Sequence, residues 1–544
     1  MQSNSAPKGT MPRSRSSALA VASGIFLSRI VGLVRDRIFA HYFGNSDAAD
    51  AFRAAFRIPN FLQNLFGEGV LSASFIPIYA RLRAEEKHEE ASQLAEAIFA
   101  ILLVITSLLV LVGVLGAPWL VGVVAPGFHG AKRALVAELV RLLFPGAALL
   151  VLSAWCLGVL NSHKRFLLSY AAPVLWNCAI IAAFFMDRGH SGESHLAVAV
   201  AIGSVVGSGL QFTVQVPTVL ALLRPLSLRL QWRGHHTRMV LKNFGPIFLS
   251  RGVVQVSAYL DSLLASFLPT GAVAALSYAQ TLYSLPVSLF GMAVSAAELP
   301  AMSGALGTPQ EVASTLRARL DHGFANISYF VVPSAAAFIA LGDVIVATIY
   351  RSGQFNMKDV TFVWSVLAGS RVGLLASTAG RLYSSAFYAL RDTRTPLYYA
   401  LIRVALTLVL GYAFALPLPR LLHISSSWGV AGLTLSAGMA GWVEFALLKR
   451  GLTRRIGRVP SSRGRLVRLW LSAVLAAAVG FFVKRGLPSN RPVITGLLVL
   501  LIFVGLYATI SRVLGIPHRL ASGSFSELVD PAELTSMRFK HSFF

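Results

Sequence analysis

Charged residues interrupt the apolar runs of this chain at a few places. Arg29, Arg35 and Asp36 lie in the run 19–43, and Asp50, Arg53, Arg57 and Glu68 lie in the run 47–79. Arg251 and Asp261 interrupt 239–268, Glu298 interrupts 272–303, and Arg371 and Arg381 interrupt 358–390. A charge within a membrane-spanning helix costs about 2.5–3.5 kcal/mol on insertion scales, so such residues are functional candidates by default. Arg53 and Arg57, four apart, share one helix face. Arginine outnumbers acid in this set. Guanidinium groups stay charged when partly desolvated and pair bidentately with phosphate, so the set suits an anionic substrate. The competing reading is internal ion pairs, such as Arg29 with Asp36, or side chains that snorkel from helix ends to the interface.

Other chemistry is absent from the sequence. There is no G-x-x-x-x-G-K-[ST] loop to cradle a nucleotide and no H-E-x-x-H or Cys/His spacing for a metal. No catalytic residues, cofactor or metal are therefore expected. Cys156 and Cys178 lie in apolar runs without a C-x-x-C pattern and read as two inert buried thiols.

The elements that position these charges follow from composition. The 544 residues are 55% hydrophobic and only 13% charged, with a mean hydropathy of +0.66. A soluble protein averages about 25% charged residues, so an all-α polytopic membrane protein is expected. Spans need about 20 apolar residues. Fourteen runs between 19 and 513 qualify as candidate helices. Pro59, Pro77, Pro286 and Pro300 fall in the second and eighth runs, which are expected to be broken beside a wet cavity.

The net charge of +25 would point to nucleic acid in a soluble chain. Here the basic residues sit in short connections between apolar runs, and no nucleic acid is expected. Alternate connections carry 28 Lys and Arg on one side against 9 on the other, which places both termini in the cytoplasm. The stretch before residue 19 resembles the start of a signal peptide but lacks a cleavage site, so the first helix is read as retained.

The sequence also repeats. Phe66-Gly67, Ser72-Ala73 and Pro77 are matched by Phe290-Gly291, Ser295-Ala296 and Pro300, an offset of 223 to 224 residues. Gly127-Phe128 and Gln354-Phe355 recur at 227. Two six-helix lobes in the same orientation are a transporter pattern, with the site where the lobes meet. The expected domains are a disordered tail 1–18, a first lobe 19–224, a second lobe 239–448, two further helices in 466–513 and a cytoplasmic tail 514–544.

An ordered series of motifs then carries a resemblance. Ser28 to Asp36 reads S-R-I-V-G-L-V-R-D, followed by Asp50-Ala-Phe, Phe56-Arg-Ile-Pro-Asn60, Leu65-Phe-Gly-Glu-Gly69 and Phe75-Ile-Pro77. Ala125-Pro-Gly-Phe128, Leu160-Asn161, Arg165-Phe166, Ala172-Pro173 and Phe387-Tyr-Ala-Leu-Arg-Asp-Thr-Arg-Thr-Pro396 come later. The series resembles the MurJ (MviN) lipid II flippase family over roughly residues 18 to 515. The resemblance implies the fold of the multidrug/oligosaccharidyl-lipid/polysaccharide exporters, with the last two helices forming a lipid-tail groove. It implies a partner too: undecaprenyl-diphosphate-linked disaccharide-pentapeptide, moved across the bacterial inner membrane among its lipids for peptidoglycan synthesis.

On that resemblance the substrate-binding candidates are Arg29, Arg35, Asp50, Arg57, Glu68 and Arg381, with Arg53 and Arg251 added from their placement. Two departures bear on them. Gln63 stands where the family often has Arg, and Gln280-Thr281 where it often has Asp-Arg. Either Arg53 or Arg251 takes over, or the headgroup differs. The drive is expected from membrane potential or a coupled cation, with Asp261 a weak ion-binding candidate. The chain is read as a monomer. The alternatives are a related polysaccharide-lipid or drug exporter, and a non-transporting scaffold that binds lipid diphosphate.

Overall fold

The computed structural model describes residues 13–71, 74–187, 192–223, 234–305, 307–459, 463–487 and 491–516. Those residues are almost entirely helical. The first half holds α1 (Arg13–Phe43), α2 (Asp47–Leu62), a π-helical segment (Gln63–Leu71), α3 (Ile76–Ala84), α4 (His88–Leu115) and α5 (Ala117–Val124). It continues with α6 (Gly130–Ser162), α7 (Phe166–Asp187) and α8 (Glu193–Leu222). The second half holds α9 (His235–Ala265), α10 (Ala272–Pro286), a second π-helical segment (Val287–Met292), α11 (Ala293–Ser303) and α12 (Pro309–Ala340). After these come α13 (Gly342–Tyr350), α14 (Met357–Ala389), α15 (Arg394–Ala415), α16 (Pro417–Leu421) and α17 (Trp428–Ile456). The chain ends with α18 (Arg463–Gly486) and α19 (Pro492–Val513).

Among the described residues, each of the fourteen apolar runs falls on helix for most of its length. Among the described residues, eleven helices are long and apolar enough to cross a membrane, and the first, second and seventh runs are outside those eleven. Local chemistry fixes many starts. The Ser46 side chain accepts from the Ala49 N–H to open α2. Thr308 with Glu311 and Asn356 with Asp359 form capping boxes at α12 and α14. Each such cap is worth about 1 kcal/mol.

The broken helices are present, and among the described residues the helix widens at each break. The two π-helical segments contain Phe66-Gly67 and Phe290-Gly291, so both halves change helical pitch at the repeated motif. Such widenings are common at functional sites. Cys156 is buried as expected. Cys178 is exposed on the surface of α7, because in a membrane helix an apolar neighbourhood also describes the lipid-facing side.

Packing follows the repeat. Within the first half, α7 and α6 lie along α8, α1 lies along α7, and α2 along α6. Within the second, α17 lies along α14 and α15, and α12 along α14. α9 runs between the halves, touching the first π-helical segment on one side and α15 on the other. α18 and α19 pair with each other and rest on α12 and α13.

The halves meet at positions the repeat makes equivalent. The Thr270 hydroxyl donates to Asp47, 223 residues away, at 2.9 Å. The Ala274 N–H donates to Asp50, 224 away, at 2.8 Å. Arg57 reaches Gln280, 223 away, at 3.5 Å. Around a two-fold axis a position meets its own equivalent. α2 and α10 therefore pack about a pseudo-two-fold axis with the offset read from the motifs.

The same symmetry generates a seam at the α1–α2 turn. The Gln354 N–H donates to the His41 carbonyl at 2.8 Å, and the Gly127 N–H donates to Ser266 Oγ at 3.1 Å. Gly127 and Gln354 are equivalent under the repeat, as are His41 and Ser266 within two residues. Tyr278 donates to the Gly44 carbonyl, and Arg37 donates to the carbonyls of Thr348 and Ile349. Backbone approaches backbone so closely that Gly271, with φ of +86°, would place a Cβ 2.6 Å from the Asn45 carbonyl oxygen. At the opposite end of the molecule, the described bond between the halves joins His236 to Glu90 at 2.9 Å.

Candidate functional site

The intramembrane charges divide into three groups. The first is built by α1, α2 and α7. Asp36 Oδ1 accepts from Arg35 at 3.1 Å and from Arg53 at 3.3 Å, so two guanidiniums share one carboxylate. Arg35 also donates to Asn177 Oδ1 at 3.0 Å and lies over the Trp176 ring. Arg53 is wedged between two rings, 4.2 Å from the centre of Phe39 and 5.2 Å from that of Tyr278. Among the described residues, Arg53 Nε has no acceptor. Geometry of this kind needs the planar guanidinium, which stacks and donates in a fixed fork.

Arg57 continues the α2 face one turn on. Its side chain reaches Gln280, its carbonyl accepts from the Tyr259 hydroxyl, and Asp261 lies within electrostatic reach. Arg29 is exposed and donates to Ser288 Oγ in the second π-helical segment at 3.2 Å. Asp36 is thus paired with Arg35 and Arg53, and Arg29 instead bridges α1 to the other half. Four guanidiniums against Asp36 and Asp261 leave this region positively charged.

The second group is Asp50, and it stands apart. It is 1% exposed. One oxygen accepts from Lys132 at 2.6 Å and from the Gly271 N–H at 2.8 Å, and the other accepts from the Ala274 N–H. Those two N–H groups open α10, so Asp50 caps a helix of the other half in trans. Every described contact of this carboxylate lies in the seam, and none is at the arginine cluster. Lys132 also holds Asp47 at 2.8 Å.

The third group lies in the second half. Arg381 on α14 is exposed, and Arg403 on α15 pairs with Glu444 on α17 at 3.4 Å. The Tyr283 hydroxyl bonds Ser377 Oγ at 2.7 Å nearby. Asp261 has both Arg57 and Arg403 as charged neighbours, a setting for ion pairs more than for a bare cation. Glu298, midway along α11, lies 3.9 Å from Arg319 of α12. The side chains of Glu68 and Arg251 lie outside the described residues.

Sequence reading therefore anticipates the arginines and misses their supports. Asn177 and Trp176 are uncharged and carry no flag in an apolar run. Lys132 sits at a helix start and reads as a loop charge. Arg403 and Glu444 are different: they interrupt apolar runs just as Arg381 does, and the same rule would have found them.

The comparisons with known proteins agree with one another. A family model described as Lipid II flippase MurJ matches residues 39–504. A protein of Burkholderia cenocepacia named Lipid II flippase MurJ is 34% identical over 473 residues, covering 85% of this chain and 88% of that protein. A Rhizobium meliloti protein named Probable lipid II flippase MurJ is 30% identical, covering 83% of each. A solved structure titled Lipid II flippase MurJ, inward closed conformation, superposes with a TM-score of 0.74 at 24% identity, covering 91% of this chain and 98% of its own. An inward-facing multidrug transporter of the MATE family superposes at 0.64 and 18% identity, covering 80% of this chain and 98% of its own, so the two share a fold.

Proposed function

Because the chain belongs to the lipid II flippase MurJ family, we propose that it carries lipid II from the cytoplasmic to the outer leaflet of the bacterial inner membrane by alternating access. The observation that carries this reading is the shared arginine cluster. Arg35 and Arg53 on one carboxylate, with Arg57 one turn away and Arg29 reaching across to Ser288, put excess positive charge where α1 and α2 face α10. A diphosphate satisfies that excess with charge-assisted hydrogen bonds.

Residues 19–224 and 239–448 act as the two moving lobes, and 466–513 as the groove for the prenyl tail. The chain works as a monomer with both termini in the cytoplasm. That orientation puts the seam at the outer face, so the state described here is closed outward and serves loading from inside. Asp50, Asp47 and Lys132 act in the seam, and the diphosphate is held by the arginines. Membrane potential or a coupled cation supplies the drive. A bound charge crossing the field is worth about 2.3 kcal/mol per 100 mV.

The test is genetic. In a host depleted of its own flippase, this chain should restore externalised lipid II, while Arg29→Ala and Arg35→Ala should abolish rescue at unchanged abundance. Failure of the parent chain at normal membrane abundance would contradict the flippase reading. Full rescue by both variants would remove the diphosphate role from those arginines.

A further inference from the structure

The third charged group, Arg381, Arg403 and Glu444, lies apart from the arginines of α1 and α2. α14 and α15 are joined by a short turn, so their adjoining ends lie at one face of the membrane. Arg381 is eight residues before the end of α14 and Arg403 nine residues after the start of α15. At 1.5 Å per residue both lie about 12–14 Å from that face. The side chain of Arg381 is exposed, and no carboxylate or hydrogen-bond acceptor meets it among the described residues. Arg403, Glu444 and Tyr283 lie within its electrostatic reach. An unpaired guanidinium at this depth is tolerated only beside water. The group therefore borders a wet space on the inner side of the second half.

Glu444 is the carboxylate paired within the group, and Asp261, shared with Arg57, neighbours Arg403 but is not among the charged neighbours of Arg381. Glu444 Oε2 lies 3.4 Å from Arg403 Nη1, which shows that a carboxylate fits the site. Arg381 remains for a second anion. The diphosphate already has four arginines on α1 and α2.

We propose, resting on the flippase reading, that Arg381 and Arg403 form a second anion subsite that holds a carboxylate of the substrate's peptide stem. Glu444 occupies Arg403 while the subsite is empty and competes with the incoming carboxylate. The substrate is then gripped at two chemically different ends, by its phosphates in the first half and by its peptide in the second. A lipid diphosphate without a peptide engages only the first.

The experiment measures binding to the purified full-length protein in nanodiscs, with two probes. One is intact lipid II, and the other is the same undecaprenyl-diphosphate disaccharide lacking the peptide, with the lactyl carboxyl that carries the peptide capped as its primary amide so that no carboxylate remains. Arg381→Gln and Arg403→Gln should each weaken binding of intact lipid II about tenfold, the loss of a charge-assisted hydrogen bond. Both should leave the peptide-free probe within about twofold of the parent. Glu444→Gln, which frees Arg403 and removes no cation, should tighten intact lipid II and leave the other probe unchanged. This variant keeps the test decisive even where Arg403→Gln does not fold. Equal losses for both probes would make the site a diphosphate contact and overturn the proposal. So would the absence of any loss, or weaker binding of intact lipid II by Glu444→Gln. A parent protein that binds neither probe would sink the flippase reading itself, a different failure from these.

Discussion

Arg53→Lys should cut lipid II externalisation at least tenfold although it keeps the charge. The reason is geometric. Arg53 lies between the rings of Phe39 and Tyr278 while donating to Asp36. A lysine ammonium is a compact point charge that cannot stack flat between two rings and fork to a carboxylate at once. One charge-assisted hydrogen bond is worth about 1.5–3 kcal/mol, which is roughly tenfold or more in an equilibrium. Loss of this contact also leaves Asp36 to Arg35 alone, which moves the excess positive charge away from the position that Arg35 holds against Asn177 and Trp176. Arg29→Lys provides the contrast. Arg29 is exposed and makes one contact to Ser288, so a lysine there should retain most activity. Equal activity of the two lysine variants, at equal abundance, would show that charge alone matters and that the ring cage does not.

The second large effect is expected at the seam. Asp50→Asn removes the charge facing Lys132 and puts an amide NH2 where an oxygen accepts from a backbone N–H of Gly271 or Ala274. Breaking a buried ion pair on one side costs about 3–5 kcal/mol. In a two-state transporter that cost falls on the closed-seam state and shifts the population toward opening, by a factor of about 100 or more. The readout is a single cysteine at Ala274, a position with 0% exposure in the closed seam. Cys156 and Cys178 are replaced first, since Cys178 is exposed. A membrane-impermeant maleimide added from outside should label Ala274→Cys at least tenfold faster in the Asp50→Asn background, and faster also with Lys132→Met. Unchanged labelling in both backgrounds would remove the latch role.

These two expectations draw on different amounts of sequence information. The helical class, the fourteen runs and the repeat offset were legible because each is a pattern of many residues. A charge inside an apolar run is equally visible, since its insertion cost does not depend on the partner. Arg35 and Arg53 could therefore be singled out. Their shared carboxylate could not be told from Arg29–Asp36, because a partner two turns back, one adjacent in sequence and one on another helix are all plausible until the neighbouring helix is placed. Asp50 shows the limit more sharply. Its type and motif suggest a substrate contact, whereas its partners are Lys132 and two N–H groups more than 220 residues away, brought near by the pseudo-two-fold axis. Backbone donors leave no mark in a sequence. Asn177 and Trp176 were hidden for a related reason: an uncharged residue in a spanning helix looks the same whether it faces lipid or an arginine.

A flippase must move the lipid itself. The full-length protein, reconstituted into liposomes with fluorescent lipid II, should raise the rate at which the headgroup becomes accessible in the opposite leaflet well above that of protein-free vesicles. Arg35→Ala should return the rate to the protein-free level. A folded parent protein that leaves lipid II in its original leaflet, with and without a membrane potential, would contradict the account.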